Sequence, residues 1–322
     1  MAQNQQSKLL GRRGFFGRAG LCTAAAMGAA TGVHHAATAA ASPATTAALD
    51  TPPMPTVKIG PHTITRLVAG YNPIGGYSHA TPNLSAHMRS YFTVERTVEF
   101  LKQCEAKGMN TFQFDLSEKV EKVLDILWGE NSKLQFISLH AARPTDSSLD
   151  HLMKYKPIAV VHHGGVTDSF FRAGKADKVH DFVKRVHDHG VLAGVSAHNP
   201  ENIARIADEG WELDLFMTCF HYVTRTQDEM EKELGFATYG EPFLQSDPPK
   251  MTAVVRQVDT PCLGFKILAA GRRCASSAAV GNAFQYAFNN IKKTDGVIVG
   301  MFPVYKDEVS ENAGFAREHG KV

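Results

Sequence analysis

Six apolar runs in this sequence end in a side chain that can carry a proton or hold a metal ion. "FQFD" closes on Asp115, "LQFISLH" on His140, "IAVVHH" on His162 and His163, "GVSAH" on His198, "TCFH" on His221 and "LGFK" on Lys266. A lone histidine at a strand end is more often a hydrogen-bonded core residue than a ligand. Several converging ionisable tips are harder to explain structurally, because burying them costs several kcal/mol unless they are paired or bind something. Imidazole and carboxylate together suit zinc, manganese, iron or cobalt, which makes Asp115, His140, His163, His198 and His221 candidate ligands of a divalent metal. The same types support metal-free acid–base catalysis, for which Asp115, His140, His163 and Lys266 are the candidates. Neighbouring residues of a strand face opposite ways, so the choice between His162 and His163 stays open. No local ligand motif such as H-E-x-x-H accompanies them.

The runs that carry these tips alternate with helical patterns. After a short hairpin ("VKIG" and "TITRL") come strands "RLVAGYN", "MNTFQFD", "LQFISLH", "PIAVVHH", "VLAGVSAH", "LDLFMTCFHYV", "PCLGFKIL" and "DGVIVGM", each followed by a helical segment. Continuous apolar runs are strands buried on both faces, and eight of them with intervening helices predict an α/β fold, a (β/α)8 TIM barrel with an N-terminal β-hairpin, over residues 56–322. Active sites of such barrels lie at the carboxyl ends of the strands, where the ionisable tips fall. A doubly wound sheet is the alternative, but no G-x-G-x-x-G follows the first strand.

Residues 1–41 read as a twin-arginine signal peptide: Arg12 and Arg13, a weakly apolar Ala/Gly stretch, and small-residue cleavage candidates ending at Ala39 and Ala41. Residues 42–55, rich in Ala and Thr, read as a linker. The implied partner is the twin-arginine export machinery, which carries folded proteins, and the implied location is periplasmic or secreted. The stretch is too poor in strongly apolar residues for a stable membrane span after processing. With 34 basic and 32 acidic residues, no nucleic-acid partner is indicated. Cys104, Cys219, Cys262 and Cys274 lack CxxC spacing, which argues against a zinc knuckle or a dense disulfide framework.

Over roughly residues 56–315 the chain resembles the aldo/keto reductase superfamily. "VKIGPHTITRLVAGYNPIGG" is similar to that family's hairpin and first strand, "FQFD" to the strand of its catalytic Asp, "IAVVHH" to the strand of its catalytic His, and "GVSAHNPENI" to its "GVSN" segment. "LGFKILAAG" and "VIVGMFPVYKDEVSEN" resemble its cofactor segments. The resemblance implies Asp115 and His163 as catalytic, with Phe265, Glu311 and Asn312 binding NADP. It breaks at the proton-donor Tyr, whose loop is missing because Asp115 runs straight into "LSEKVEKV", and at the Lys, replaced by His140. The carboxamide-holding Asn reads as Ala197, and the basic residues for the 2′-phosphate read as Phe302 and Glu308. A carboxylate facing a phosphate is repulsive.

Three readings follow. The first is a repurposed barrel enzyme with His/Asp-centred, metal-assisted lyase, isomerase, epimerase or hydrolase chemistry on a small carbohydrate-derived substrate: a sugar, polyol or keto-sugar. The second is an NADP-dependent carbonyl reductase, and the third a noncatalytic periplasmic sugar-binding barrel. The long polar connection 221–250 is expected to cover the site, with Arg225, Glu229 and Tyr239 as possible substrate contacts. His180 and His187 are expected on a solvated helix face, and Trp128 and Trp211 in packing roles.

Overall fold

A computed structural model describes residues 52–140 and 146–322. The signal and most of the linker predicted from sequence lie outside these residues. Strands β1 (Thr56–Ile59) and β2 (His62–Thr65) form the hairpin. β3 (Leu67–Gly70), β4 (Thr111–Asp115), β5 (Gln135–His140), β6 (Ala159–His162), β7 (Leu192–Ala197), β8 (Leu215–Cys219), β9 (Cys262–Phe265) and β10 (Gly296–Gly300) run parallel and close into a barrel, with β10 pairing β3. The predicted (β/α)8 barrel with its N-terminal hairpin is therefore the observed architecture.

Around the barrel run α1 (Asn72–Gly75), α2 (Pro82–Tyr91), α3 (Val94–Ala106), α4 (Glu118–Gly129), α5 (Asp146–Met153), α6 (Gly164–Arg172), α7 (Ala176–Asp188) and α8 (Pro200–Asp208), then α9 (Gln227–Leu234), α10 (Asp247–Val255), α11 (Ser277–Asn290) and α12 (Glu308–His319). Among the described residues no helix is long and apolar enough to cross a membrane.

Two apolar layers result from strand alternation. Phe112, Phe114, Phe136, Val160, Val195 and Phe216 turn outward and pack under the helices. Val68, Ile137, Val161, Met217, Leu263 and Ile298 turn inward, where Val57, Ile59 and Ile64 of the hairpin plug the amino-terminal end of the barrel. Arg66 anchors this floor although it is only 2% exposed. Its guanidinium donates to the main-chain carbonyls of Asp295 (2.6 Å), Lys292 (2.9 Å) and Gly320 (3.0 Å), leaving no buried charge unpaired. At the seam, Gly70 faces Gly300. A Cβ on Gly70 would come within 2.8 Å of the Gly300 nitrogen, so the two strands can close only without a side chain there.

Helix starts are fixed by local capping. Ser117 accepts from the Val120 N–H and starts α4 two residues after Asp115, which explains why no loop follows that strand. Thr226 and Glu229 form a capping box on α9. Some sequence expectations shift. α6 intervenes between β6 and the expected helix. β8 stops at Cys219, which leaves His221 beyond the strand.

Candidate active site

The parity that sorts the apolar layers also sorts the histidines. His163, one residue past β6, faces a cleft of about 590 Å³ at the carboxyl end of the barrel, together with Asp115, His198, Phe265 and Lys266. His162 faces outward: its Nδ1 lies 2.7 Å from Thr167 Oγ1, and its ring packs on Phe170 and Phe182. His140 also faces outward, stacked on Phe182 with Nε2 3.2 Å from Ser148 Oγ. It is in step with the outer layer and does not line the cleft, so the structure does not bring it together with the other candidates. His221 is also set apart from the other candidates. It lies past the end of β8 with Nδ1 on the Leu244 carbonyl, beside Phe243, and does not line the cleft.

Asp115, His163 and His198 do line it, but among the described residues no three His, Cys, Asp or Glu side chains group closely enough to hold a metal ion. The donor set expected for a divalent metal does not fit.

What the cleft holds instead is a histidine–carboxylate dyad. Asp168 is 2% exposed, and its Oδ2 accepts from the His198 main-chain N–H, from His198 Nδ1 at 3.0 Å and from Thr224 Oγ1 at 2.8 Å. Its Oδ1 accepts from Asn199 N and Asn202 Nδ2. Burial alone would raise this carboxyl, but the bonds from His198 and Thr224 hold it below its ordinary value. An ionised acceptor on Nδ1 fixes the tautomer, so Nε2 of His198 keeps its lone pair on the cleft side.

Burial lowers the His198 pKa against the opposing pull of Asp168. Burial, with His198 and Lys266 nearby, pushes His163 down to about 4. Both rings are thus neutral near pH 7. Gly164 makes room for the dyad: a Cβ there would sit 2.9 Å from Ser196 Oγ and 3.0 Å from the His198 ring. Sequence reasoning missed Asp168. An Asp inside "GGVTDSFFR" reads as a helix surface residue, yet Asp168 lies beside Thr167 on the buried face of α6.

Lys266 lies directly after β9 with φ +57, a left-handed conformation that costs a non-glycine residue about 1–2 kcal/mol. Its ammonium sits 5.1 Å from the Phe265 ring centre, and among the described residues it has no hydrogen-bonded carboxylate. Asp115 has its carboxyl raised by burial, which outweighs the Leu116 main-chain N–H. A neutral imidazole on a buried carboxylate, a lysine cation and a carboxyl with raised pKa can exchange protons with a substrate and hold a developing negative charge.

The cleft continues as a groove past Ile267 and Leu268 to the start of α12, where Phe302, Glu308, Glu311 and Asn312 line it. The four residues implied as cofactor contacts or substitutions there divide in fit. Asn312 is 2% exposed with a buried, unpartnered Oδ1, a usable acceptor. Glu311 is taken by Lys306 at 2.5 Å. Glu308, its pKa raised by burial, accepts from Phe302 N at 2.7 Å and presents a carboxylate where a phosphate would need a cation. Ala197 turns outward into the packed layer, so the cleft-facing residues of β7 and its end are Ser196 and His198.

The residues expected as lid contacts have structural roles. Arg225 is 7% exposed and binds Asp247 (2.6 Å) and Glu233 (2.7 Å). Glu229 caps α9 and meets Arg172, and Tyr239 projects into solvent. The connection reaches the cleft through Val223, Thr224 and Glu241 instead. Expected on a solvated face, His180 in fact stacks on Trp211 at 4.5 Å, and His187 pairs with Asp214 at 2.8 Å. Trp128 packs against Tyr155 and Phe136.

The chain is similar in fold to the aldo-keto reductase AKR11C1 from Bacillus halodurans in its holo form, with TM-score 0.52 and 10% identity over 84% of this chain and 92% of that one. A variant of Gox0644 in complex with NADPH matches at TM-score 0.48 and 14% identity, over 81% of this chain and 88% of that one. Dihydropteroate synthase from Thermus thermophilus matches at 0.46 and 11%, over 82% and 98%. No family model matches the chain, and no curated protein does. At such identities the likeness to the first of these shows the TIM-barrel fold alone, a fold that hosts many chemistries.

Proposed function

We propose that this chain is an exported barrel enzyme that moves protons on a small hydroxyl-bearing carbonyl compound of the keto-sugar class, as an isomerase or epimerase does, with His198 as the base. The buried Asp168–His198 dyad opening on the cleft carries this reading. His198 Nε2 takes a proton from the carbon beside the carbonyl, and the electrons of that C–H bond move to the carbonyl oxygen. Asp168 holds the resulting imidazolium in place, as a buried carboxylate does for a catalytic histidine. The Lys266 ammonium faces the developing oxyanion, and neutral His163 beside it can donate a hydrogen bond. Return of the proton to the neighbouring carbon, while the hydroxyl proton moves through Asp115, completes isomerisation. Protonation by water on the opposite face, with His198 passing its proton to the hydroxide left behind, completes epimerisation, and neither changes the net redox state.

The test is incubation with three- to six-carbon aldoses and ketoses in D2O, reading deuterium entry beside the carbonyl by NMR. Exchange that vanishes in His198→Ala is the expected result. Aldehyde-dependent NADPH consumption without exchange would replace this reading.

The groove running to Asn312 favours one second reading, a nicotinamide-dependent reductase. A bound NADPH would supply hydride, with Phe265 beside the nicotinamide and Asn312 at the far end. The carboxylate of Glu308 opposes the 2′-phosphate in that arrangement.

A further inference from the structure

A second histidine–carboxylate pair stands at the rim of the same cleft, built from two connections that leave the barrel at different strands. His79 follows β3, and Glu241 belongs to the connection between β8 and β9, yet His79 Nδ1 lies 2.7 Å and 2.9 Å from the two Glu241 oxygens. The connection is pinned beside this contact by Arg272, which donates to the His79 carbonyl at 3.0 Å and covers the Phe243 ring at 3.9 Å. The backbone at His79 is left-handed, φ +52, which aims its ring at both partners. On its other side His79 Nε2 is 3.0 Å from Asn72 Nδ2, and Asn72 lines the cleft.

Donor and acceptor counting fixes this chain. Burial would raise the Glu241 carboxyl, but His79, Lys266 and His198 hold it below its ordinary value, so it is an ionised acceptor. Nδ1 of His79 must therefore carry a proton. The atom of Asn72 that faces His79 Nε2 is the amide nitrogen, which can only donate, so Nε2 is the acceptor. The amide oxygen of Asn72 is left for the cleft. Without Glu241 nothing holds the proton on Nδ1. The ring then takes the Nε2–H form that imidazoles of histidine prefer in water, and the amide must turn over to present its oxygen to His79.

We propose that Asn72 is a specificity-determining residue that accepts a hydrogen bond from a substrate hydroxyl, and that Glu241, acting through the tautomer of His79, is the positioning residue that keeps its oxygen turned toward the cleft. This rests on the reading of the cleft as a site for hydroxyl-bearing substrates, and it adds the contact that would distinguish a hydroxyl from a hydrogen at one carbon. It also assigns Glu241 and His79 work that neither strand-end position nor helix pattern revealed.

The test begins without substrate. In protein labelled with 15N-histidine, long-range 1H–15N spectra report which nitrogen of His79 is protonated, the signal being assigned by its loss in His79→Gln. Wild type is expected in the Nδ1–H form, Glu241→Ala in the Nε2–H form, and Asn72→Ala in the Nδ1–H form. A wild-type Nε2–H ring, or one unmoved by loss of Glu241, overturns the positioning claim whether or not any sugar is a substrate. With whichever aldose or ketose shows deuterium exchange, Asn72→Ala and Glu241→Ala should each raise KM by about tenfold with kcat within about threefold, as loss of one hydrogen bond in binding does. The matching substrate lacking the contacted hydroxyl should be insensitive to both changes. A fall in kcat and melting temperature with KM unchanged would mean the contact merely ties down the connection, and would overturn the specificity claim.

Discussion

The two ends of this barrel handle buried polar groups in opposite ways. At the amino-terminal floor Arg66 spends its donors on three main-chain carbonyls, and Asp295 accepts from the main-chain N–H groups of Cys262 and Lys292. At the mouth, His163 Nδ1 is buried without a partner and Lys266 has no bound carboxylate among the described residues. A satisfied polar group stabilises a structure, whereas one held ready but unsatisfied is available to a ligand. The difference separates residues that keep the fold from residues that would act on a substrate.

The sharpest break of that contrast is at His198. His198→Ala should lower proton-exchange turnover per folded molecule by about 10²–10⁴-fold, the range for a general base, and also lower the melting temperature, because Asp168 loses its imidazole partner. A small change in rate would remove the dyad from the mechanism. The mirror experiment is Arg66→Met, which takes a donor from three main-chain carbonyls and leaves those of Asp295 and Gly320 without one. It should cost about 2 kcal/mol in denaturant unfolding while turnover per folded molecule stays near wild type.

Acid should attack the helix-facing and mouth histidines first. Burial holds His162 at about 3 and His163 and His221 at about 4, so between those values and the ordinary histidine range near 6.5 the unfolded chain binds more protons. Stability from these groups is whole above that window and drains as pH falls through it. A melting temperature flat from pH 7 to 4 would contradict their buried, neutral state.

Gly164→Ala is a finer probe, because its Cβ meets Ser196 and the His198 ring. Displacing the ring should cost about tenfold in kcat with α6 intact by circular dichroism. His140→Ala should leave turnover unchanged and cost only a packing and hydrogen-bond loss of about 1–2 kcal/mol.

Most of the architecture was legible from sequence because buried parallel strands are continuous apolar runs, and "FQFD" or "IAVVHH" can hardly be anything else. Which face each tip presents was not. His162 and His163 differ by one residue, and only the start of α6 at Gly164 settles that His163 leaves the strand toward the cleft. His221 misled because "TCFH" continues the apolar run past the point where β8 ends. Asp168, His79 and Glu241 were invisible for a shared reason: their partners lie 30 or 162 positions away along the chain, and a carboxylate on a helix or loop carries no local mark of the imidazole it will meet.

The floor arginine also sets a clock. Its bond to Gly320 spans 254 positions, and β3 finds its second barrel partner only in β10. At ribosomal rates of about 5–20 residues per second, the first barrel strand waits on the order of tens of seconds with one edge unpaired before the residue that completes its anchor has been made. Under the proposed export of a folded chain, the segment read as a signal would have to stay idle throughout that interval. Slowing closure at this seam would then appear as mistimed or failed export, even in a protein whose finished barrel is stable.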